Sequence, residues 1–227
     1  MAHFACSFKY RASCSAGVAA WFLTATSWAT NYTPFIVPAG TTFTLNGGDS
    51  VTGTGSSTAI RVGGATLNFG PGNIAIGNVD LGVFATNGPA ANINFQTGTN
   101  VTITTVTPTG LGLQSTVNSQ AVFSLAPNSN VTIRGFQGVN LGHTPLGTSS
   151  QLNIGSGATL KIEAAPAGGN PWPKGVMTSN NAAISIAAGG VLDVQTTGGQ
   201  YARGIELGYS LTYPASVERK LLSLIHI

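Results

Sequence analysis

Residues 91–105, ANINFQTGTNVTITT, decide the fold. Ile93 and Phe95 alternate with Asn92 and Asn94, the period-two pattern of a strand with one buried face. Thr97 and Gly98 then supply a turn, and a second alternating segment puts Val101 and Ile103 on the apolar side. The same plan returns as AVFSLAPNSNVTIRG from Ala121, SQLNIGSGATLKIEA from Ser150 and AAISIAAGGVLDVQT from Ala182. Its marker residues Phe95, Leu125, Ile154 and Ile186 stand 30, 29 and 32 positions apart. In each copy the second strand begins six residues after the first ends. Self-similarity at this period is the mark of a stacked architecture.

Working outward, the turns are supplied by Gly98, by Pro127 and Asn128, by Gly155 and Gly157, and by Gly189 and Gly190. A third short apolar strand follows each copy, introduced by glycine: Gly110 to Leu113, Gly138 to Leu141, Gly175 to Met177 and Gly204 to Leu207. Toward the N-terminus, Leu45 and Val51 keep the six-residue step, and Val62 to Leu67 shortens it by one. The chain is therefore expected to be all-β, a right-handed parallel β-helix of about six rungs between Thr41 and Leu207, each rung of roughly 30 residues with three short strands. One rung cannot bury its apolar face alone. Stacking aligns Ile93, Phe123, Leu152 and Ile184 in one column, and Phe95, Leu125, Ile154 and Ile186 in a second. Val101, Val131, Leu160 and Leu192 form a third, and Ile103, Ile133, Ile162 and Val194 a fourth. On the outer face the same register predicts that Lys161 neighbours Asp193 and that Arg134 neighbours Glu163.

Composition agrees with many strands and tight turns. Only 7% of the chain is charged and 31 of 227 residues are glycine, which starves helices and suits tight turns. The first 29 residues differ: Lys9 and Arg11 precede the apolar run Ala16 to Leu23, and Ser27-Trp28-Ala29 offers a cleavage point, the layout of a secretory signal. Both cysteines, Cys6 and Cys14, lie inside it, so the mature chain has no thiol for a disulfide, a zinc site or a nucleophile. Removing its two basic residues leaves a net charge near +1, which gives nucleic-acid binding through a basic patch no support. The expected organisation is a signal peptide over 1–29, the β-helix over 30–210 and a truncated tail over 211–227. The final residues, Leu222 to Ile227, resemble the translated transposon mosaic end of sequencing adapters, so the natural protein is expected to run past about Leu221.

With the export signal, the Asn/Gly/Thr/Ser-rich rungs such as NVTI and GGVLDV, and a mature part without cysteine, residues 30 to about 210 resemble the passenger region of autotransporters, the pertactin-like and AIDA-like surface proteins of Gram-negative bacteria. The resemblance implies a β-helix carried across the outer membrane by a C-terminal barrel. It also implies a cell-surface or extracellular location and an adhesive or structural role toward host cell surfaces or glycans. It transfers no functional residue. No cofactor or metal is called for, and the chain is expected to be monomeric.

The rival reading is a polysaccharide lyase or hydrolase, since pectate lyases and polygalacturonases resemble this architecture. Such enzymes need several carboxylates on one face, for calcium or for acid and base. Here Asp49, Asp80, Glu163, Asp193, Glu206 and Glu218 are scattered, so no catalytic residue is assigned; Glu206, near Arg203, is the one that could join a groove. A phage tailspike or two-partner haemagglutinin-like fragment is a further alternative. His143 has no second ligand near it in sequence and reads as a turn residue. Asn31-Tyr-Thr, Asn100-Val-Thr and Asn130-Val-Thr match a glycosylation pattern, although an Asn closing a turn accounts for them. Gly155-Ser-Gly157 lacks the helix of a phosphate loop. The segment Ala165 to Lys174, APAGGNPWPK, is the one departure from the rung pattern. Loops on repeat scaffolds are common binding points, so Trp172, with Asn170 and Lys174, is the candidate surface contact.

Overall fold

The computed structural model describes residues 29–86, 88–115, 119–142, 150–178, 182–198, 202–206 and 220–223. Residues 1–28 of the expected 1–29 signal, His143, Leu207, Glu218 and residues 224–227 lie outside them. Every regular element among the described residues is a β-strand. The chain coils through β1 (Asn31–Tyr32), β2 (Phe35–Val37) and β3 (Thr42–Leu45), then β4 (Ser50–Thr52), β5 (Thr58–Val62) and β6 (Thr66–Phe69). The next coils are β7 (Gly72–Val79), β8 (Leu81–Ala85) and β9 (Gly88–Phe95), followed by β10 (Thr99–Thr105), β11 (Leu111–Ser115) and β12 (Ser119–Leu125). After them come β13 (Asn130–Gly135), β14 (Gln137–Leu141) and β15 (Gln151–Ile154), then β16 (Thr159–Ala164), β17 (Lys174–Thr178) and β18 (Ala183–Ile186). The last are β19 (Val191–Thr196), β20 (Arg203–Glu206) and β21 (Lys220–Ser223).

Every third strand pairs in parallel, giving three sheets of seven strands: β1-β4-β7-β10-β13-β16-β19, β2-β5-β8-β11-β14-β17-β20 and β3-β6-β9-β12-β15-β18-β21. They are called the first, second and third sheets below. Between Thr41 and Leu207 lie β3 to β20, six coils, the number the repeat predicts.

The four apolar columns form as expected. Ile93 pairs with Phe123, Phe123 with Leu152 and Leu152 with Ile184; Phe95, Leu125, Ile154 and Ile186 follow beside them. In the first sheet Val101, Val131, Leu160 and Leu192 align, as do Ile103, Ile133, Ile162 and Val194. The third-sheet columns reach back through Leu67 and Phe69 to Phe43 and Leu45. Phe69 and Phe95 stack with centroids 4.7 Å apart and ring planes 5° apart, both fully buried. At the N-terminal end Tyr32, Phe35 and Phe43 form an aromatic cluster, with centroids 4.8–5.7 Å apart.

Three register expectations need correction. Val51 pairs with Ile76 and so belongs to the Ile103 column, not the Val101 column. Leu45 and Val51 are six residues apart where Phe95 and Ile103 of the same columns are eight apart, and Asp49 takes the inward position of the Val101 column, buried, accepting hydrogen bonds from the amides of Thr30 (2.9 Å) and Asn46 (2.7 Å). Val62 to Leu67 runs instead from the second sheet to the third. In the second sheet Leu113 pairs with Val139, which places Gly112, not Gly110, over Gly138. The same register aligns Gly82, Gly112, Gly138, Gly175 and Gly204 in one ladder. This ladder is where the chain turns from the first sheet into the second, and it packs against the Ile103 column. A methyl group on Gly138 would stand 2.5 Å from the carbonyl oxygen of Gly175 and 2.9 Å from Ile162 Cδ1, with Ile162 Cγ2 nearer still. Glycine is required there by close approach.

Candidate functional site

The corner between the third and first sheets is uniform. It spans two to four residues in every coil, and Gly98, Asn128, Gly157 and Gly189 hold its left-handed turn with φ from 59° to 76°. Thr99 Oγ1 closes it by donating to the carbonyls of Phe69 and Gly70, both at 2.8 Å, and Ser129 Oγ donates to Ala126 O at 2.7 Å.

The corner between the first and second sheets is not uniform, and the site is built there. Residues 106–110 connect β10 to β11, Phe136 alone connects β13 to β14, and residues 165–173 connect β16 to β17. The two long loops therefore flank a coil that contributes almost nothing. They meet across it: Asn170 Nδ2 reaches Pro108 O at 3.4 Å, and Gly168 packs on the Pro108 ring so closely that an added methyl would lie 2.9 Å from Pro108 Cβ. Between them lies a cleft of about 330 Å³ lined by Thr105, Val106, Arg134, Gly135, Phe136, Glu163 and Ala165 to Ala167.

Charge at the cleft comes from the outer face of the first sheet. Arg134 Nε donates to Glu163 Oε2 at 2.6 Å, as the register predicts. Lys161 pairs in register with Asp193, but its ammonium turns along its own strand to Glu163 Oε1 at 2.6 Å, while Asp193 accepts from Gln195 Nε2 at 3.0 Å. The hydrogen bond from Lys161, and after it that from Arg134, holds the Glu163 carboxyl below the usual carboxylate range. Thr105 is only 6% exposed and its hydroxyl has no hydrogen-bond partner among the described residues; it lies beneath Gly135 and against Gly110.

The three sequence-predicted contact residues separate. Trp172 is 43% exposed on the loop, with its amide donating to Asn170 Oδ1 at 3.2 Å. Asn170 braces the loop, through that bond and the one to Pro108. Lys174 stands on β17 and is half-buried against Glu206, 3.6 Å from Oε2, on the outer face of the second sheet. Arg203 also pairs with Glu206, so the carboxylate that sequence reading placed near Arg203 is in a structural ion cluster. Asp80 accepts from the hydroxyls of Thr107 and Thr109 and ties down the 106–110 loop. Among the described residues no three His, Cys, Asp or Glu side chains come together to hold a metal ion. Asn130 Nδ2 donates to Asn100 Oδ1 at 2.9 Å, a ladder contact between successive turns. Of the cleft residues, Gly135 and Phe136 were not singled out from sequence, and Arg134 and Glu163 only as an expected pair on the outer face. Their signal was the single residue between β13 and β14 beside a nine-residue neighbour.

Comparison with known proteins finds no matching family model, no matching curated protein and no matching solved structure.

Proposed function

We propose that this chain is a non-catalytic β-helical stalk of an exported cell-surface protein, the passenger of an autotransporter, which contacts host cell surfaces or glycans through the corner between its first and second sheets. On this reading the chain crosses the periplasm and outer membrane and is held by a C-terminal outer-membrane barrel. What supports it is the unbroken stacking of seven strands in each sheet, which makes a rod that lengthens by adding coils, with the largest described insertion, 165–173, at that one corner. Repeat scaffolds use such arrays to present extended binding surfaces. The test is to display the chain on bacteria through a fused outer-membrane barrel and to measure attachment to cultured cells and immobilised glycans. Attachment above that of the barrel alone is expected, and Trp172→Ala is expected to reduce it several-fold while leaving the melting temperature unchanged. Turnover of a polysaccharide panel by the purified chain, or display with no attachment to any surface, would overturn the reading.

A further inference from the structure

Resting on that surface-binding reading, we propose that the notch over Gly135 and Phe136 holds one carboxylated pyranose ring of a glycan, with Arg134 as the anchor for its carboxylate.

The notch is a missing loop. Stacked strands lie about 4.8 Å apart, so loops on alternate coils stand about 10 Å apart, room for one ring edge-on between 106–110 and 165–173. The contact of Asn170 and Gly168 with Pro108 closes one side. The open cleft of about 330 Å³ is at the small end of ligand sites, which run from roughly 300 to 1,000 Å³. Its apolar lining, Val106, Phe136, Pro166 and the neighbouring alanines, suits the C–H face of a sugar. Its polar edge is Arg134 and Glu163.

The free end of the Arg134 guanidinium selects an acid. Among the described residues Arg134 spends only Nε on Glu163, which leaves the fork of its two Nη groups for a bidentate carboxylate. A neutral sugar would gain no such bond. The floor adds an independent sign. A buried hydroxyl without a partner among the described residues, as on Thr105, is uncommon in folded proteins, and Thr105 belongs to the lining of the notch.

The test titrates the full ¹⁵N-labelled chain with methyl glucuronide and, separately, with methyl glucoside and acetate. Methyl glucuronide is expected to shift the amides of residues 105–107, 134–136, Ala165 and Ala167 saturably, and less strongly at high salt. Methyl glucoside and acetate are each expected to bind at least about tenfold more weakly. Arg134→Met is expected to abolish the shifts and Arg203→Met to keep them. Should Arg134→Met fail to fold, Arg134→Lys replaces it, a charge without a fork, expected to bind about tenfold more weakly. Equal binding of the glucoside, shifts elsewhere only, or full binding by the Arg134 variant would overturn the inference. If displayed chains attach to cells while methyl glucuronide leaves the notch unmoved, the notch assignment falls and the adhesion reading stands. If the notch binds and displayed chains attach to nothing, the reverse holds.

Discussion

Gly138→Ala probes the tightest requirement of the fold. Its added methyl would meet the carbonyl oxygen of Gly175 at 2.5 Å and Ile162 Cδ1 at 2.9 Å, both on the next coil. The side chain could be turned aside. The carbonyl could not, because neighbouring Val139 and Val176 are paired in the same sheet. Overpacking of this kind costs about 1–3 kcal/mol, and contact with backbone puts this case at the upper end. The reduced entropy of the unfolded chain returns about 0.4–1 kcal/mol, leaving a net loss of about 2 kcal/mol. For a domain of this size that lowers the melting temperature by about 4–8 °C, measured by circular dichroism at 218 nm or so, where strands absorb. Gly204→Ala is the matched control, since it sits in the same ladder on the last described coil of that sheet and a methyl there meets nothing within 4 Å. It is expected to be neutral or slightly stabilising. If the two substitutions behave alike, the ladder is not held by contact between coils, and the reasoning fails.

Phe95→Ala removes a ring stacked on Phe69 in the centre of the core and is expected to cost about 3–5 kcal/mol, read from the urea midpoint. Asn128 holds φ at 59° where the neighbouring coils use Gly98 and Gly157; Asn128→Gly should leave the midpoint nearly unchanged, whereas Asn128→Val should lower stability by about 1–3 kcal/mol. Glu163 titrates below its usual value of 4.5 because Lys161 and Arg134 hydrogen-bond to the charged form. A depressed native value means that its contribution is present above that usual value and is lost as pH falls through the lowered one. Both partners are substantially exposed, so the contribution is at most about 1 kcal/mol; Glu163→Gln should remove that acid-side slope in unfolding free energy, and an unchanged slope would show that the pairing does not stabilise the fold.

The columns of the first and third sheets were legible because period-two alternation and a fixed corner leave one register that buries every apolar residue. The second sheet was legible as strands but not in register. Gly110-Leu-Gly-Leu113 looks the same after a slip of two residues, and a slip of two keeps every side chain on its face. Only contact with the Ile103 column distinguishes Gly112 from Gly110. Asp49 was hidden for a related reason: an inward carboxylate breaks the apolar pattern, and its two backbone donors, Thr30 and Asn46, lie on separate segments. Ladder position fixed the neighbours of Lys161, yet a flexible ammonium chose Glu163 on its own strand over Asp193 across the ladder. The loop carrying Trp172 was visible as an insertion. The cleft beside it was not, because it depends on the brevity of a different coil.

Why binding should sit at one corner follows from what each corner costs to change. Between the third and first sheets, a left-handed residue recurs at Gly98, Asn128, Gly157 and Gly189 and the link stays at two to four residues, so its length is held within narrow bounds. Between the first and second sheets the link runs from one residue at Phe136 to nine at 165–173, while the strands on either side stay paired: Arg134 with Glu163, Gln137 with Lys174. Each doubling of a loop costs only about 0.6 kcal/mol of closure entropy, so growing from one residue to nine costs about 2 kcal/mol, less than one buried aromatic side chain contributes. A stacked fold can therefore absorb a loop there without altering the core. Because a notch needs a long corner on both sides of a short one, variation in length at this corner alone is enough to create a binding site.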